Sequence, residues 1–175
     1  MVKLPAHLPK GILSKLADHL KWVEEPFDKS GNLLKDIVYE AGKKGTKAKY
    51  VYTTDSLGRI KQAFAYPLIL DKIKRAKNAS ATPGKEAGDH AGHLFADIFG
   101  GSPKLDNLVS QASSTNLSDM KRLENKWAGL LGRRPPADIV VHVEVLYGSG
   151  DRPTGFIIRE VIDKIPTIPP HIFRQ

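Results

Sequence analysis

Between Gly88 and Trp127 the chain concentrates groups that can move protons and hold hard cations. The window opens Gly88-Asp89-His90-Ala91-Gly92-His93-Leu94 and passes Phe99-Gly100-Gly101 and Asp106-Asn107-Leu108-Val109. It closes on Asn116-Leu117 and a segment carrying Glu124. Asn and Glu supply oxygen donors of the kind magnesium accepts while it keeps most of its waters. A neutral imidazole beside such an ion can take a proton from water near neutral pH. With basic loops nearby, the set suits attack on a phosphodiester. Residue types alone leave plainer readings open: a histidine near a turn can be an ordinary hydrogen-bonding residue, and an asparagine can cap a helix or pin a loop. His90 and His93 would be half of a transition-metal site, with no second pair to complete it.

The elements that must position these groups follow from periodicity. Leu8, Ile12, Leu13, Leu16, Leu20 and Val23 recur at steps of three and four, which predicts a helix over 8–23. A weaker helical pattern runs from Leu33 to Ala41, closed by Gly42. Gly42 to Lys49 reads as a solvated basic connector, since it lacks the Gly-Lys-Ser/Thr ending of a phosphate loop. The period then changes to two. Tyr50–Thr54 and Ala63–Tyr66 flank Asp55-Ser56-Leu57-Gly58-Arg59 as a hairpin. Lys72 to Lys85 carries Lys72, Lys74, Arg75, Lys77 and Lys85 without an acidic residue, and reads mostly as loop. Lys121–Leu131 is an amphipathic helix with Leu123, Trp127, Leu130 and Leu131 on one side, ended by Gly132 and Pro135-Pro136. Ile139–Tyr147 and Thr154–Ile162 are two long strands, and 166–175 is an extended tail.

The chain has 175 residues, room for one domain of ordinary size. Lys plus Arg number 27 against 19 acidic residues, so the net charge of +8 favours an anionic partner. The absence of cysteine excludes disulfides, thiolate zinc sites and thiol catalysis. No apolar run approaches the roughly 20 residues that span a bilayer. Lys3, Pro5, His7 and Pro9 leave no signal-peptide core at the start of the chain.

The string Gly-Asp-x-x-Gly-His-Leu, Phe-Gly-Gly, Asp-Asn-Leu-Val, a further Asn and Leu-Glu-Asn-x-Trp resembles the DNA/RNA non-specific endonucleases. It is most similar to the branch found as C-terminal toxin domains of bacterial secreted proteins. Val143-Glu144-Val145-Leu146-Tyr147 and Arg152-Pro153-Thr154 also fit that branch, and the likeness runs from Tyr50 to about Asp163. The resemblance implies an α+β fold: a ββα-metal (His-metal finger) nuclease core at 50–165 with an antiparallel sheet. An N-terminal helical extension would occupy 1–49, and the tail 166–175. It implies His93 as general base and Asn116 as the ligand of a single divalent cation, Mg²⁺ or another such as Mn²⁺. Asn107 would support the site or contact phosphate, and Glu124 would act through metal-bound water. His90 is expected to be dispensable. The family's older secreted members carry Asp-Arg-Gly-His, whereas Ala91 stands here at the arginine position and the acid sits at Asp89. Phosphate contact is therefore expected from Arg75, Lys77 and Lys85.

The implied activity is metal-dependent hydrolysis of DNA, with RNA an open second substrate, leaving 5′-phosphates. As a toxin domain the chain would be delivered into a competitor's cytoplasm and held in check by an acidic immunity protein. Two other readings differ in kind: a catalytically silent nucleic-acid-binding module, and a secreted scavenging nuclease. Plasmid cleavage with and without chelator separates the first of these from an enzyme.

Overall fold

Alternation of side chains across strands organises the molecule. In β2 (Ile37–Ala41), β3 (Tyr50–Thr54) and β4 (Ile60–Ala65), Ile37, Tyr39, Tyr50, Tyr52, Ala63 and Ala65 enter one buried cluster. The intervening Val38, Val51 and Phe64 enter a second cluster on the opposite face. Both faces of this part of the sheet are covered, so its strands are nearly continuous apolar runs. The computed structural model describes residues 4–71 and 73–175; residues 1–3, Lys3 among them, and Lys72 of the basic loop lie outside that range.

The remaining elements are a one-turn helix α1 (Lys10–Leu13), a short strand β1 (Lys21–Trp22), β5 (His90–His93) and β6 (Leu108–Gln111). A π-helix (Thr115–Met120) runs into α2 (Lys121–Gly132), followed by β7 (Ile139–Tyr147), β8 (Pro153–Ile162), β9 (Ile165–Pro166) and β10 (His171–Arg174). Among the described residues the main sheet has eight strands in the order β1-β2-β3-β4-β7-β8-β10, with β9 also on β8. All its pairings are antiparallel except β1 with β2. β5 and β6 form a separate antiparallel ribbon, inserted with the helices between β4 and β7. The expected hairpins, the helix from Lys121 and the α+β class agree with this architecture.

The N-terminal helical extension does not. Over 8–23 the only α-helix is the single turn Lys10–Leu13, and over 33–41 the chain ends in strand β2. Leu8, Ile12 and Leu20 are spaced as on a helix because they cap the second face of the sheet, against Val38, Val51 and Phe64. Ile37-Val38-Tyr39 is a β-branched and aromatic run whose burial alternates between faces, so packing overrides the weak helical spacing. The sheet also crosses the expected boundary at residue 50, since β1 and β2 precede it and β2 pairs with β3. The basic connector is likewise not solvated throughout. Lys43 is only 4% exposed and pairs with Asp97 at 3.0 Å.

Three buried tyrosines tie the sheet to the inserted unit. Tyr39 donates its hydroxyl to Asp106 O at 2.6 Å, Tyr50 to Phe99 O and Tyr52 to Asn107 Oδ1 at 2.7 Å. Burial pushes all three hydroxyls up from their ordinary value, so they remain protonated donors. Asn107 Oδ1 also accepts from Phe95 N at 3.0 Å, and its Nδ2 donates to Phe95 O at 2.8 Å and Ser102 O at 2.9 Å. Glu160, with its side chain fully buried, anchors α2 and the C-terminal strand by accepting from Lys126, Trp127 and Thr167 and pairing with His171.

Asn107→Ala removes all four hydrogen bonds from a dry interior. It is expected to lower stability by about 3 kcal/mol, measured by urea unfolding. His142 supplies a pH test. Burial, aided by Lys15 and Arg159, lowers its imidazole from the ordinary value to about 4, while the ring stacks on Phe64 with centroids 4.4 Å apart. The unfolded chain binds this proton near pH ~6.5. The stability it contributes is therefore complete above that pH and is lost as pH falls toward 4. His142→Phe is expected to flatten the decline in urea midpoint between pH 7 and pH 5.

Candidate active site

The catalytic-type residues converge because of how the ββα unit is packed. Gly92 lies against Gln111 of β6, whose Oε1 would stand 2.0 Å from any added Cβ. The space a Cβ would fill at the residue preceding His93 is taken by the buried Gln111 side chain, which would have to move for any larger residue. At Gly101 an added Cβ would lie 1.8 Å from Phe95 O. The Phe-Gly-Gly block thus allows the 95–101 loop to fold back on itself, where Asn107 holds it. Asp89 is buried and receives Arg152 Nε and Nη2 at 2.8 and 2.9 Å. That bidentate pair, whose hydrogen bonds lower the Asp89 carboxyl, fastens the approach to β5 onto the β7–β8 turn.

These constraints shape a cleft of about 620 Å³. His90, Ala91 and His93 reach it from β5, Asn116 and Leu117 from the π-helix, and Lys121 and Glu124 from α2. Arg75 and Asn78 line it from the preceding loop. Burial lowers His93 from its ordinary value to about 4; Asp97 opposes this, while Arg75 and Lys43 add to it. The ring is therefore neutral at physiological pH, and its Nε2 is sealed off without a hydrogen-bond partner. Burial raises Glu124 to about 7, only partly offset by Lys121. Asn116 turns its Nδ2 toward His90 Nδ1 at 2.9 Å. Among the described residues its Oδ1 has no partner. A second cleft of about 380 Å³, between the Asp28–Lys35 segment and Tyr147, contains no histidine.

Of the residues expected from the sequence, His93, Asn116, Glu124 and Arg75 share this cleft. Asn107 does not line it. It is 0% exposed with every side-chain position engaged, which leaves no atom for a phosphate. Lys77 and Lys85 do not line the cleft either, and Lys85 Nζ donates to Ser80 O at 3.0 Å. Three residues that the sequence reading did not assign to the site do contribute. Asn78 lines the cleft with a buried, unpartnered Oδ1 and sits in a loop that carries no periodic signal. Lys121 precedes Glu124 by one helical step, a spacing visible in the sequence. Lys43 lies beneath the site through its pair with Asp97. His90, expected to be dispensable, is in the cleft and in contact with Asn116.

Glu124, Asn116 and His93 together present hard oxygens and a neutral nitrogen, with Arg75 and Lys121 as nearby cations. Such a set can bind a hydrated divalent ion, deprotonate water and hold a phosphate.

The DNA/RNA non-specific endonuclease family matches residues 37–164, so the match takes in β2, the whole inserted unit and both long strands. Type VII secretion system protein EssD of Staphylococcus aureus, in strains USA300 and NCTC 8325, is 34% identical over 127 residues. The match covers 67% of this chain but only 20% of EssD, so the chain spans about a fifth of the length of these relatives. The crystal structure of NucA from Streptococcus agalactiae, with no metal bound, shares the fold at a TM-score of 0.52 and 15% identity. That superposition covers 74% of this chain and 70% of NucA. With the family match spanning most of the chain and the cleft carrying the residue types that the motif string implied, the protein belongs to the DNA/RNA non-specific endonuclease family.

Proposed function

We propose that the chain is a divalent-metal-dependent endonuclease that hydrolyses DNA, and RNA where it is offered, and serves as the toxin domain of a secreted bacterial protein. The observation that carries the catalytic part is the neutral His93 in one cleft with Asn116 and Glu124. The donors fit a hydrated cation such as Mg²⁺ or Mn²⁺. Asn116 has an oxygen without a protein partner, Glu124 is a half-buried carboxyl lacking a full counter-charge, and His93 Nε2 is an orphaned buried atom. Asn116 would hold the ion directly and Glu124 through water. Bound there, the ion supplies stabilisation of the charge that develops on the phosphate and on the departing oxygen.

His93 accepts a proton from water at Nδ1, the ring nitrogen that is not sealed. Burial keeps the ring neutral and ready, and the negative charge of an arriving phosphate raises its affinity for that proton. The freed oxygen attacks phosphorus in line, the bond to the 3′ oxygen breaks, that oxygen takes a proton from solvent water, and the products carry a 5′-phosphate and a 3′-hydroxyl. Arg75 and Lys121 hold non-bridging oxygens, taking the place of the arginine that Ala91 cannot supply. Contacts of this kind are to the backbone, so base sequence matters little and salt matters much. Asn107 and Asp89 act by fixing the loops and touch no substrate.

The toxin part is supported by the similarity to a type VII secretion system protein and by the +8 charge, which suits an acidic immunity protein. In that role the domain is secreted by its producer and works in the cytoplasm of a target cell.

Plasmid DNA incubated with the protein and Mg²⁺ is expected to be cut, and chelation to stop cutting. His93→Ala should lower the rate by about 10²–10⁴-fold while DNA binding and the unfolding midpoint stay near wild type. Cleavage by His93→Ala within a few-fold of wild type would overturn the base assignment. For the biological role, expression of the wild-type domain alone should arrest a bacterial host with DNA damage, and His93→Ala should be harmless. Normal growth of cells containing active wild-type enzyme would sink the toxin reading and leave the nuclease standing.

A further inference from the structure

We infer that His90 is the positioning residue that selects which end of the Asn116 carboxamide faces the cleft. A carboxamide is nearly symmetric in shape and opposite in chemistry at its two ends. Its terminal torsion has two broad wells, so an isolated asparagine shows its oxygen or its NH₂ with little preference. Only the oxygen can bind a cation. The NH₂ end presented instead would repel one.

In the structure Asn116 Nδ2 donates to His90 Nδ1 at 2.9 Å. In the tautomer that leaves Nδ1 its lone pair, as this contact requires, the imidazole accepts from NH₂ and repels an amide oxygen, which disfavours the flipped state. The Oδ1 is then left facing away from His90 and free of protein partners among the described residues. The bond spans two elements, the first residue of β5 and the second residue of the π-helix, and both ends are held by backbone. His90 is in register with Gln111 across the ribbon and follows Asp89, which Arg152 fastens. Asn116 N donates to Ala112 O at 3.0 Å. The orienting bond therefore joins two fixed points, and little is left for the cation to organise. His90 itself need not touch substrate or ion.

This inference rests on the proposed ligand role of Asn116 and concerns a different residue. It is tested without nucleic acid by measuring Mn²⁺ affinity of the full chain from the free-Mn²⁺ signal in electron paramagnetic resonance. Four proteins are compared: wild type, His90→Ala, Asn116→Asp and the double variant. Aspartate shows an oxygen whichever way it turns, so it needs no orienting partner. His90→Ala is expected to weaken Mn²⁺ binding about tenfold when Asn116 is intact and by less than about twofold when combined with Asn116→Asp. His90→Gln, whose side-chain oxygen accepts from NH₂, should recover most of the loss. With Mg²⁺ and plasmid, His90→Ala should raise the half-saturating metal concentration, and His90→Gln should bring it back toward wild type.

Equal losses in both backgrounds, as a general structural role would give, would overturn the inference. So would an unchanged affinity in His90→Ala. If His90→Ala does not fold, His90→Phe keeps the ring bulk, removes the acceptor and takes its place in the same cycle. The nuclease reading fails separately, when wild type neither binds Mn²⁺ nor cuts plasmid.

Discussion

The Asn107 carboxamide is the point where two halves of the molecule are joined. One half is the wide sheet, whose Tyr52 hydroxyl ends on Oδ1. The other is the loop from Phe95 to Ser102, which the same side chain holds from both backbone directions. In an interior without water each of these groups would otherwise be an unsatisfied donor or acceptor. The neighbouring Tyr39 and Tyr50 bonds extend the junction, so that segment 99–107 hangs from a row of hydroxyls. Because β6 starts at the residue after Asn107 and β5 pairs with β6, the height of His93 above the sheet follows from this junction.

The cleft's electrostatics follow from the same packing. Burial between the ribbon and α2 makes charging an imidazole or a carboxyl costly, so His93 and Glu124 both move toward their neutral forms. The two shifts leave a neutral imidazole on one side and, on the other, a carboxyl without a full counter-charge. Asp97 does not cancel this, because Lys43 already occupies it in a buried pair.

What could be read from the residues divides along physical lines. Groups carried by a local pattern were visible: the Gly-His pair within its motif string, and Glu124 on a helix of clear amphipathic period. Groups defined by what lies across space were not. Asn107 carries the family's motif position, yet nothing in its neighbours in sequence says that all four of its hydrogen bonds are spent inside. Period two separates His90 and His93 onto opposite faces of a strand, yet both reach one cleft from the ends of a four-residue ribbon. Leu8 to Val23 misled for the opposite reason. Its apolar spacing was real and served a sheet face instead of a helix.

The π-helix at Thr115–Met120 sets the phase of everything after it. Each of its turns takes in one residue more than an α turn, which rotates Asn116 relative to the regular ladder of α2. A uniform α-helix would carry Asn116 and Glu124 at a fixed offset of about 80°, whatever the cleft required. The wider turn changes that offset, and Asn116 and Glu124 both reach one cleft from a continuous rod. It also makes length the sensitive variable in this stretch. Loss of a single residue between Asn116 and Glu124 would rotate the two by roughly 100° relative to one another, which no side-chain change there does.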